Sequence, residues 1–250
     1  MKAKTSTILS FLALMCVVLL SACSKGNDTP SMSIGKSEIS LNSKQTETIV
    51  VSPSAAGCTF TTENKYIANV SADGKVTPIT VGTTYITVSN STQNFSERCK
   101  VTVTPLLNLF KEPYLSFGAT KATVKANENR ILATETSTGL GFTGENSNVT
   151  LVMYVFDKQG KMTSAAIAFP TSKMYTTMDF LAERYIPIGY ENGYGVFMSN
   201  DEKMGVGITV YNTSYLMIVY APVSSSKAAS TDDTVQQQMI ELMDSHFGNR

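Results

Sequence analysis

The stretch that decides the fold of the first half of the chain, residues 73–88, reads DGKVTPITVGTTYITV. Its Asp73-Gly74 pair is a strong signal for a tight turn between two strands. The residues after Gly82 are β-branched or aromatic, and such side chains favour a strand. The stretch therefore predicts two β-strands that are separated by short turns.

The flanking sequence from 34 to 104 repeats this pattern of short strands and turns. Ile39 and Leu41 alternate with polar residues, and residues 99–103 alternate in the same way before Pro105. About seven short strands in roughly 70 residues are typical of a small β-sandwich. We therefore predict an all-β domain at 34–104.

Three motifs in this region resemble a known family. They are FTTENKYIANV at 60–70, DGKV at 73–76 and VGTTYITV at 81–88. In this order they resemble the bacterial Ig-like domain, group 2, over nearly all of 31–104. The family's frequent tryptophan falls on Phe60, which is an apolar exchange. The resemblance implies an Ig-like sandwich that serves as a spacer or an adhesive module, and it brings no catalytic residues.

The N-terminus has the organisation of an export signal. Lys2 and Lys4 precede an apolar run at 8–20, which ends in small residues and Cys23. The run is too short for a membrane-spanning helix of about 20 residues. Residues 20–23, LSAC, resemble the lipobox of bacterial lipoproteins. The resemblance implies removal of residues 1–22 and lipidation of Cys23.

The predicted location is the outer membrane, with the lipid at Cys23 as the membrane attachment. Residues 23–33 are polar and contain Gly and Pro, so we expect a flexible tether there. In some Gram-negative bacteria, acidic residues after the lipidated cysteine direct the protein to the outer face. Here Asp28 is the only acid and stands near Lys25, so the periplasmic and cell-surface faces both stay open.

Two cysteines remain after the predicted processing, because Cys16 lies in the signal and Cys23 carries the lipid. In an exported, oxidising setting we predict a disulfide between Cys58 and Cys99. It would close a loop of about 42 residues, worth roughly 4 kcal/mol on the chain-entropy model. The alternative is two buried free thiols.

The composition argues against nucleic-acid binding. Without residues 1–22 the chain has 18 Lys and Arg against 20 Asp and Glu. No stretch of the sequence forms a basic stripe of the kind that contacts phosphates. We therefore expect no nucleic-acid partner.

Residues 105–250 alternate between strand and helix patterns, which predicts an α+β domain with an antiparallel sheet. The junction at 106–113 is apolar and is expected to pack between the domains. A short helix at 120–128 is expected to have Thr120 as its N-cap. Asp157 and Gly160 fit a type I turn. The predicted strands are 130–136, 140–143, 149–156, 161–169, 194–199, 204–211 and 215–221.

Two further helices are predicted in this domain. Thr176 and Asp179 form a capping-box-like start for the first helix, and a polar hinge at 224–230 precedes the second, which begins at 231–233. Each helix has one apolar face. The faces consist of Met178, Leu181, Ala182 and Tyr185 in the first helix, and of Val235, Met239, Leu242 and Met243 in the second.

The sequence contains no complete signature of a cofactor site or a metal site. Residues 139–144 read GLGFTG, but a dinucleotide site needs a helix after this pattern and a strand is predicted instead. We therefore interpret the stretch as a glycine-rich β-turn. His246 is the only histidine and is expected to be solvated. We predict no cofactor and no metal site.

Carboxylate pairs offer the alternative function, a hydrolase that acts on surface or dietary glycans, because such chemistry needs two acids and no histidine. Most of the candidates fall at turns or off apolar helix faces, so solvated charges also explain them. The candidates are Asp157, Asp179, Glu183, Glu191, Asp201 and Glu202.

Tyrosines are concentrated in the C-terminal domain, where eight of the eleven lie between Tyr154 and Tyr220. Four of them fall near predicted strand ends, and amphipathic rings can stack on sugars or anchor a protein. Tyrosine also favours strands, so packing is the other interpretation. The predicted ligand site consists of Tyr190, Tyr194, Tyr211 and Tyr215.

Together these patterns predict a lipid-anchored envelope lipoprotein with a binding, adhesion or scaffolding role and no catalytic activity. The Ig-like domain would act as a spacer and the C-terminal domain as the recognition module. Its partner would be either a glycan or an envelope protein.

Overall fold

The computed structural model describes residues 31–191, 194–224, 227–228 and 233–248. The predicted signal peptide, Cys23 and most of the tether lie outside these residues. The described chain forms an N-terminal β domain and a C-terminal domain with one large antiparallel sheet.

The N-terminal domain is a β-sandwich built from short strands around one apolar core. A four-stranded sheet has the order β2-β9-β8-β5, a three-stranded sheet has the order β3-β7-β6, and β1 pairs with β4. Ile86, Val88 and Val101 alternate with more exposed residues and are fully buried. The strands are β1 Ser33–Ile34, β2 Glu38–Asn42, β3 Glu47–Thr48, β4 Val51–Ser52, β5 Thr59–Thr62, β6 Ala68–Val70, β7 Lys75–Pro78, β8 Gly82–Asn90 and β9 Phe95–Thr104.

Both remaining cysteines are free, which contradicts the predicted Cys58–Cys99 disulfide. Cys99 pairs with Ile86 of β8, which in turn pairs with Thr62 of β5. Cys58 lies four residues before Thr62, about 13 Å along the strand direction, and β8 separates β5 from β9. A disulfide needs Cα atoms within about 7 Å, so this register keeps the two thiols apart.

The C-terminal domain repeats one unit twice, a helix followed by four antiparallel strands. The last strands of the two units, β13 and β17, pair at the centre, so the sheet order is β10-β11-β12-β13-β17-β16-β15-β14. A two-residue strand, β18, pairs with the end of β17. The elements are α1 Lys121–Asn127, β10 Leu132–Glu135, β11 Gly139–Thr143, β12 Leu151–Phe156, β13 Met162–Pro170, α2 Met174–Arg184, β14 Ile186–Glu191, β15 Tyr194–Met198, β16 Met204–Val210, β17 Tyr215–Ser224, β18 Lys227–Ala228 and α3 Asp233–Gly248.

Each face of this sheet has its own apolar core. Val124 of α1 and Phe180 and Leu181 of α2 pack on one face together with the junction residue Phe110. Met239, Leu242 and Met243 of α3 pack on the other face. The predicted apolar face of α3 is therefore confirmed for Met239, Leu242 and Met243, and the side chain of Val235 lies outside the described part. The junction is packed rather than free, but Leu107, Leu109 and Phe110 join the core of the C-terminal domain and do not pack between the two domains as predicted.

Two local predictions for the second unit need correction. Helix α2 begins at Met174 after a 3₁₀ turn at Thr171–Lys173, and the Thr176 hydroxyl donates to the Lys173 carbonyl inside the helix. The predicted start at Thr176 is therefore wrong. No strand is predicted at 186–191, because Pro187 and Gly189 interrupt the pattern, yet β14 lies there. An edge strand with a bulge tolerates both residues.

Candidate functional site

Two hairpins of the second unit end at the same edge of the C-terminal domain. Tyr190 of β14 pairs with Gly195 of β15, and Gly195 pairs with Ile208 of β16. The β16–β17 turn is bonded to the start of α2, since the Thr171 amide donates to the Ser214 carbonyl at 2.9 Å. The β14–β15 hairpin, the β16–β17 hairpin and the first turn of α2 are therefore neighbours.

Large apolar side chains are exposed in these neighbouring segments. Among the described residues, eleven large apolar side chains are notably exposed, and five of them lie here. The concentration is unusual because scattered single residues are the normal pattern on a protein surface. We call this the hairpin-end surface, and its residues are Met174 (44% exposed), Tyr175 (84%), Ile188 (58%), Tyr190 (79%) and Val210 (65%).

Tyr190 projects on the same side of the sheet as α2. A Cβ on its pairing partner Gly195 would lie 2.8 Å from Ile208 Cγ2, and Ile208 belongs to the core that contains Phe180 of α2. Residues that pair directly across two strands project to the same face. The first turn of α2 and Tyr190 therefore face one side of the sheet together.

The four tyrosines of the predicted ligand site come to one end of the sheet but not to one face. Tyr211 and Tyr215 are partly buried against the core beneath α3, and the Tyr211 hydroxyl donates to Asp244 of α3. Burial, with the adjacent Asp244 carboxylate, raises the pKa of Tyr211 to about 12. Tyr211 thus helps to dock α3, whereas the side chain of Tyr190 is exposed to solvent. The side chain of Tyr194 lies outside the described part.

Tyr175 was missed in the sequence, although a signal was present. It precedes the apolar stripe of α2, which includes Leu181 and Tyr185, and does not belong to it. A large ring off the apolar face of an amphipathic helix is expected to be exposed. Helical periodicity could therefore have identified Tyr175 as a surface residue.

The two domains meet in a joint made of hydrogen bonds. The Val81 amide donates to the Glu183 carbonyl at 2.7 Å. The Asn200 side chain donates to the Val81 carbonyl at 3.2 Å, and the Asn64 side chain donates to the Asn200 carbonyl at 2.9 Å. The Glu183 carboxylate also accepts the Leu107 amide at 3.0 Å. The joint is therefore specific and polar.

Three clefts open along this joint. The largest, about 430 Å³, lies beside Asn64, Tyr66 and Glu202. A second, about 360 Å³, lies beside Leu107 and Glu183. They are formed by the approach of the two domains, and the Tyr66 hydroxyl is held by the Glu202 carboxylate, which raises the pKa of Tyr66.

The third cleft, about 210 Å³, contains the carboxyl group of Glu112. Burial raises the pKa of Glu112, although hydrogen bonding from Tyr185 and the charge of Arg184 oppose this shift. The Tyr220 hydroxyl is fully buried and makes no hydrogen bond of ordinary geometry, yet Glu112 is near enough to add to the raised pKa of Tyr220. Glu112 is therefore a buried acid within a structural cluster.

Several carboxylates that could serve a hydrolase hold the backbone instead. Asp157 accepts the Lys161 amide at 2.8 Å and closes the predicted type I turn. Asp201 accepts the Ser199 hydroxyl at 2.6 Å, and Glu183 holds the junction. The Glu183 side chain is only 12% exposed, so the expectation of a solvated charge is wrong there. Asp179 is exposed, and the side chain of Glu191 lies outside the described part.

The glycine motif at 139–144 lies in strand β11 and its following loop, so the interpretation of the stretch as a β-turn is wrong. A Cβ on Gly139 would lie 2.7 Å from Leu242 of α3, and one on Gly144 would lie 1.9 Å from the Val149 carbonyl oxygen. These glycines therefore permit close packing, and the strand β12 that follows supports the interpretation against a dinucleotide site. His246 lies one turn beyond Leu242 on the packed face of α3 and is 9% exposed, so the expectation of a solvated histidine is wrong.

Within the described ranges, no group of three or more His, Cys, Asp or Glu side chains is arranged to hold a metal ion. In the same part of the chain, no helix has the length and apolar character needed to cross a membrane.

Comparison with known proteins identifies the N-terminal domain. Residues 28–101 match the family model of the bacterial Ig-like domain (group 2). The resemblance inferred from the three motifs is therefore confirmed, and the first domain of this chain is a bacterial Ig-like domain. No curated protein sequence matches the chain.

Solved structures give only distant similarities. The S-layer protein SbsC, domains 5–6, is 15% identical, and the alignment covers 78% of this chain and 85% of that one with a TM-score of 0.24. The SGBP-B protein of the Bacteroides ovatus mixed-linkage glucan utilization locus, in complex with a mixed-linkage heptasaccharide, is 12% identical. That alignment covers 77% of this chain and 62% of that one with a TM-score of 0.27. These scores are too low to support an argument about fold or function.

Proposed function

We propose that this chain is an outer-membrane lipoprotein, anchored through Cys23, whose C-terminal domain binds a ligand at the hairpin-end surface. The observation that carries the proposal is the exposure of Tyr175 and Tyr190, at 84% and 79%, on one side of one sheet end. Exposed aromatic rings are frequent anchors of binding sites. The protein then acts by binding or scaffolding and not by catalysis.

The Ig-like domain supports this role by its position. It follows the tether directly and is joined to the C-terminal domain through Val81, Asn200 and Glu183. Several directed hydrogen bonds between two domains fix the orientation of one domain relative to the other. The Ig-like domain is therefore a rigid arm that holds the recognition domain away from the membrane.

The anchor is tested by replacing Cys23 with Ala. Incorporation of labelled palmitate should be abolished, and the protein should leave the membrane fraction. Retention of the label in the variant would exclude Cys23 as the lipid attachment site.

The binding surface is tested by site-specific photocrosslinking in cells, with benzoylphenylalanine placed at Tyr190. A matched control position is Val50, an apolar residue of the Ig-like domain that is 62% exposed. A crosslinked envelope component should be captured from position 190 and not from position 50. Equal capture at both positions, or none at either, would contradict a binding role for the hairpin-end surface.

A further inference from the structure

The hairpin-end surface has no excess of basic side chains, and Asp244 of α3 adds an acidic one beside Tyr211. The five residues of this surface lie in the segments 170–176 (PTSKMYT), 186–191 (IPIGYE) and 210–215 (VYNTSY). Lys173 and Glu191 are the only acidic or basic residues in these segments, so their charges sum to zero. A surface that selects phosphate, carboxylate or anionic lipid would carry several Lys or Arg side chains.

Uncharged hydrogen-bonding groups surround the exposed rings. Besides the tyrosines, six residues of the three segments carry a hydroxyl or an amide and no charge, and all except Thr171 are exposed. Such groups both donate and accept hydrogen bonds, although the Thr176 hydroxyl already donates to the Lys173 carbonyl and the Asn212 side-chain oxygen already accepts two backbone amides. The six residues are Thr171, Ser172, Thr176, Asn212, Thr213 and Ser214.

The two most exposed rings flank this polar region. Tyr175 follows the 3₁₀ turn, in which the Thr171 hydroxyl donates to the Thr213 carbonyl at 3.2 Å. Tyr190 lies on β14, whereas α2 begins beside the β13–β17 pair, three to four strand spacings away, which corresponds to roughly 14–19 Å across the sheet. An extended ligand that contacts both rings would therefore pass over exposed hydroxyl and amide groups.

We infer that the hairpin-end surface binds a neutral glycan chain. Tyr175 and Tyr190 stack on the C–H faces of sugar rings, and the hydroxyl and amide groups between them bind the sugar hydroxyls. A tyrosine ring suits this task because it offers an apolar face together with a polar edge. The inference rests on the binding role proposed above and names the ligand of the same surface.

A protein partner fits this surface less well. A standard protein interface buries about 800 Å² on each side around an apolar, well-packed centre. Here hydroxyl side chains such as Ser172 and Thr213 separate the apolar residues, and they would be desolvated without fixed partners. Desolvation of unpaired hydroxyl groups is costly, whereas a sugar chain supplies a hydroxyl for each of them.

The experiment measures retardation in native affinity gels that contain one polysaccharide each. The chain without residues 1–22, carrying Cys23→Ala, is run with neutral polymers (xylan, mannan, laminarin and dextran) and with anionic polygalacturonate. Retardation is expected with at least one neutral polymer and not with polygalacturonate. The double variant Tyr175→Ala/Tyr190→Ala should weaken the apparent affinity by about tenfold or more, as truncation of an anchoring aromatic does.

Two matched variants separate ring stacking from other effects. Tyr175→Phe/Tyr190→Phe keeps both rings and should lose clearly less affinity than the alanine pair. Val50→Ala, an exposed apolar truncation in the other domain, should leave retardation unchanged. Since both tyrosines are exposed, the alanine pair should shift the melting temperature by no more than about 2 °C.

The outcomes distinguish the glycan from the binding role itself. Binding to polygalacturonate alone, no retardation by any neutral polymer, or equal retardation of the alanine pair overturns the glycan inference. If photocrosslinking from Tyr190 nevertheless captures an envelope protein, the proposed binding role stands and only the ligand class is wrong. If neither polymer nor crosslinked component is found, both fail.

Discussion

At the scale of single residues, the two cysteines show how register decides chemistry. Cys99 is buried in the core of the Ig-like domain, and burial, with minor contributions from Glu47 and Glu38, raises its pKa from 9.0 to about 11. Cys58 is partly exposed at the start of β5. The two thiols should therefore differ strongly in reactivity, because the thiolate is the reactive species.

We predict that iodoacetamide at pH 8 modifies Cys58 in the folded protein and Cys99 only after denaturation. The pKa shift alone lowers the thiolate fraction of Cys99 about a hundredfold, since each pKa unit is a factor of ten. Peptide mass spectrometry of native and denatured samples measures both sites. A disulfide-linked peptide pair of Cys58 and Cys99 in the non-reduced protein would contradict the register.

A second residue-scale feature is the buried ion cluster around Arg130. Its guanidinium contacts Glu128 at 2.8 Å and Glu145 at 2.6 Å, and it also donates to the Lys111 carbonyl in the junction. The side chains of Arg130 and Glu128 are only 5% and 3% exposed, and Glu128 also accepts the Tyr154 hydroxyl. Loss of the arginine would leave a buried carboxylate without its counter-charge.

We therefore expect Arg130→Ala to lower the free energy of unfolding by about 3–5 kcal/mol. The exposed pair of Lys125 and Glu135 is the control, because Lys125→Ala should cost no more than about 1 kcal/mol. Urea unfolding that is followed by the fluorescence of C-terminal tyrosines gives both values. Equal losses of unfolding free energy for the two substitutions would show that the buried cluster stabilises the domain no more than the exposed pair does.

At the scale of elements, helix α3 is held to the sheet mainly by apolar contacts. Leu242 is 1% exposed and packs against Leu151 and Met153, and the bond from Tyr211 to Asp244 adds a polar contact. Gly139 lets the helix approach, as a Cβ at this position would meet Leu242. Leu242 is therefore central among the apolar contacts that dock α3 on the sheet.

Leu242→Ala should destabilise the C-terminal domain by about 2–5 kcal/mol, because it creates a cavity beneath the helix. Glu241→Ala, at the exposed neighbouring position, should change stability by less than about 0.5 kcal/mol. Hydrogen exchange in α3 measures the local effect, which should be absent from the Ig-like domain. If α3 amides exchange equally fast in both variants, the helix is held by other contacts.

The elements also show what the sequence could predict. The strands at 149–156 and 161–169 and the Thr120 cap were predicted closely, because alternation and capping are local properties. Strand β14 was missed because its neighbours in the sheet, and not its own pattern, make it a strand. The sequence pattern also could not show that the tyrosines lie on two different faces of the sheet. The pairing of Tyr190 with Gly195 decides to which face Tyr190 projects. The repeated unit leaves no comparable trace in the amino-acid pattern.

At the scale of the whole molecule, the joint between the domains determines whether the Ig-like domain is a rigid or a flexible spacer. Asn200 lies at its centre, where the side chain donates to Val81 and the carbonyl accepts from Asn64. Glu183 binds the junction through its carboxylate and the Ig-like domain through its carbonyl. Although the Ig-like sequence pattern predicts that residues 31–104 fold alone, the joint predicts that the two domains move as one body.

We expect the variant Asn64→Asp/Asn200→Asp to loosen the two domains from each other without unfolding either. It removes both side-chain N–H donors that cross the joint, to the Asn200 and Val81 carbonyls, and keeps the side-chain oxygen of Asn64 that accepts the Tyr66 amide. The Val81 amide bond to the Glu183 carbonyl then remains. The distance between spin labels at Ser54→Cys and Lys158→Cys, in a Cys58→Ser chain, measures the change by pulsed electron resonance. The parent chain should give one narrow distance distribution and the joint variant a broad one, while Gln159→Ala, an exposed amide in the β12–β13 turn, should leave the distribution narrow. A broad distribution in the parent chain would show instead that the Ig-like domain is a flexible spacer, and the orientation of the hairpin-end surface relative to the membrane would then not be fixed.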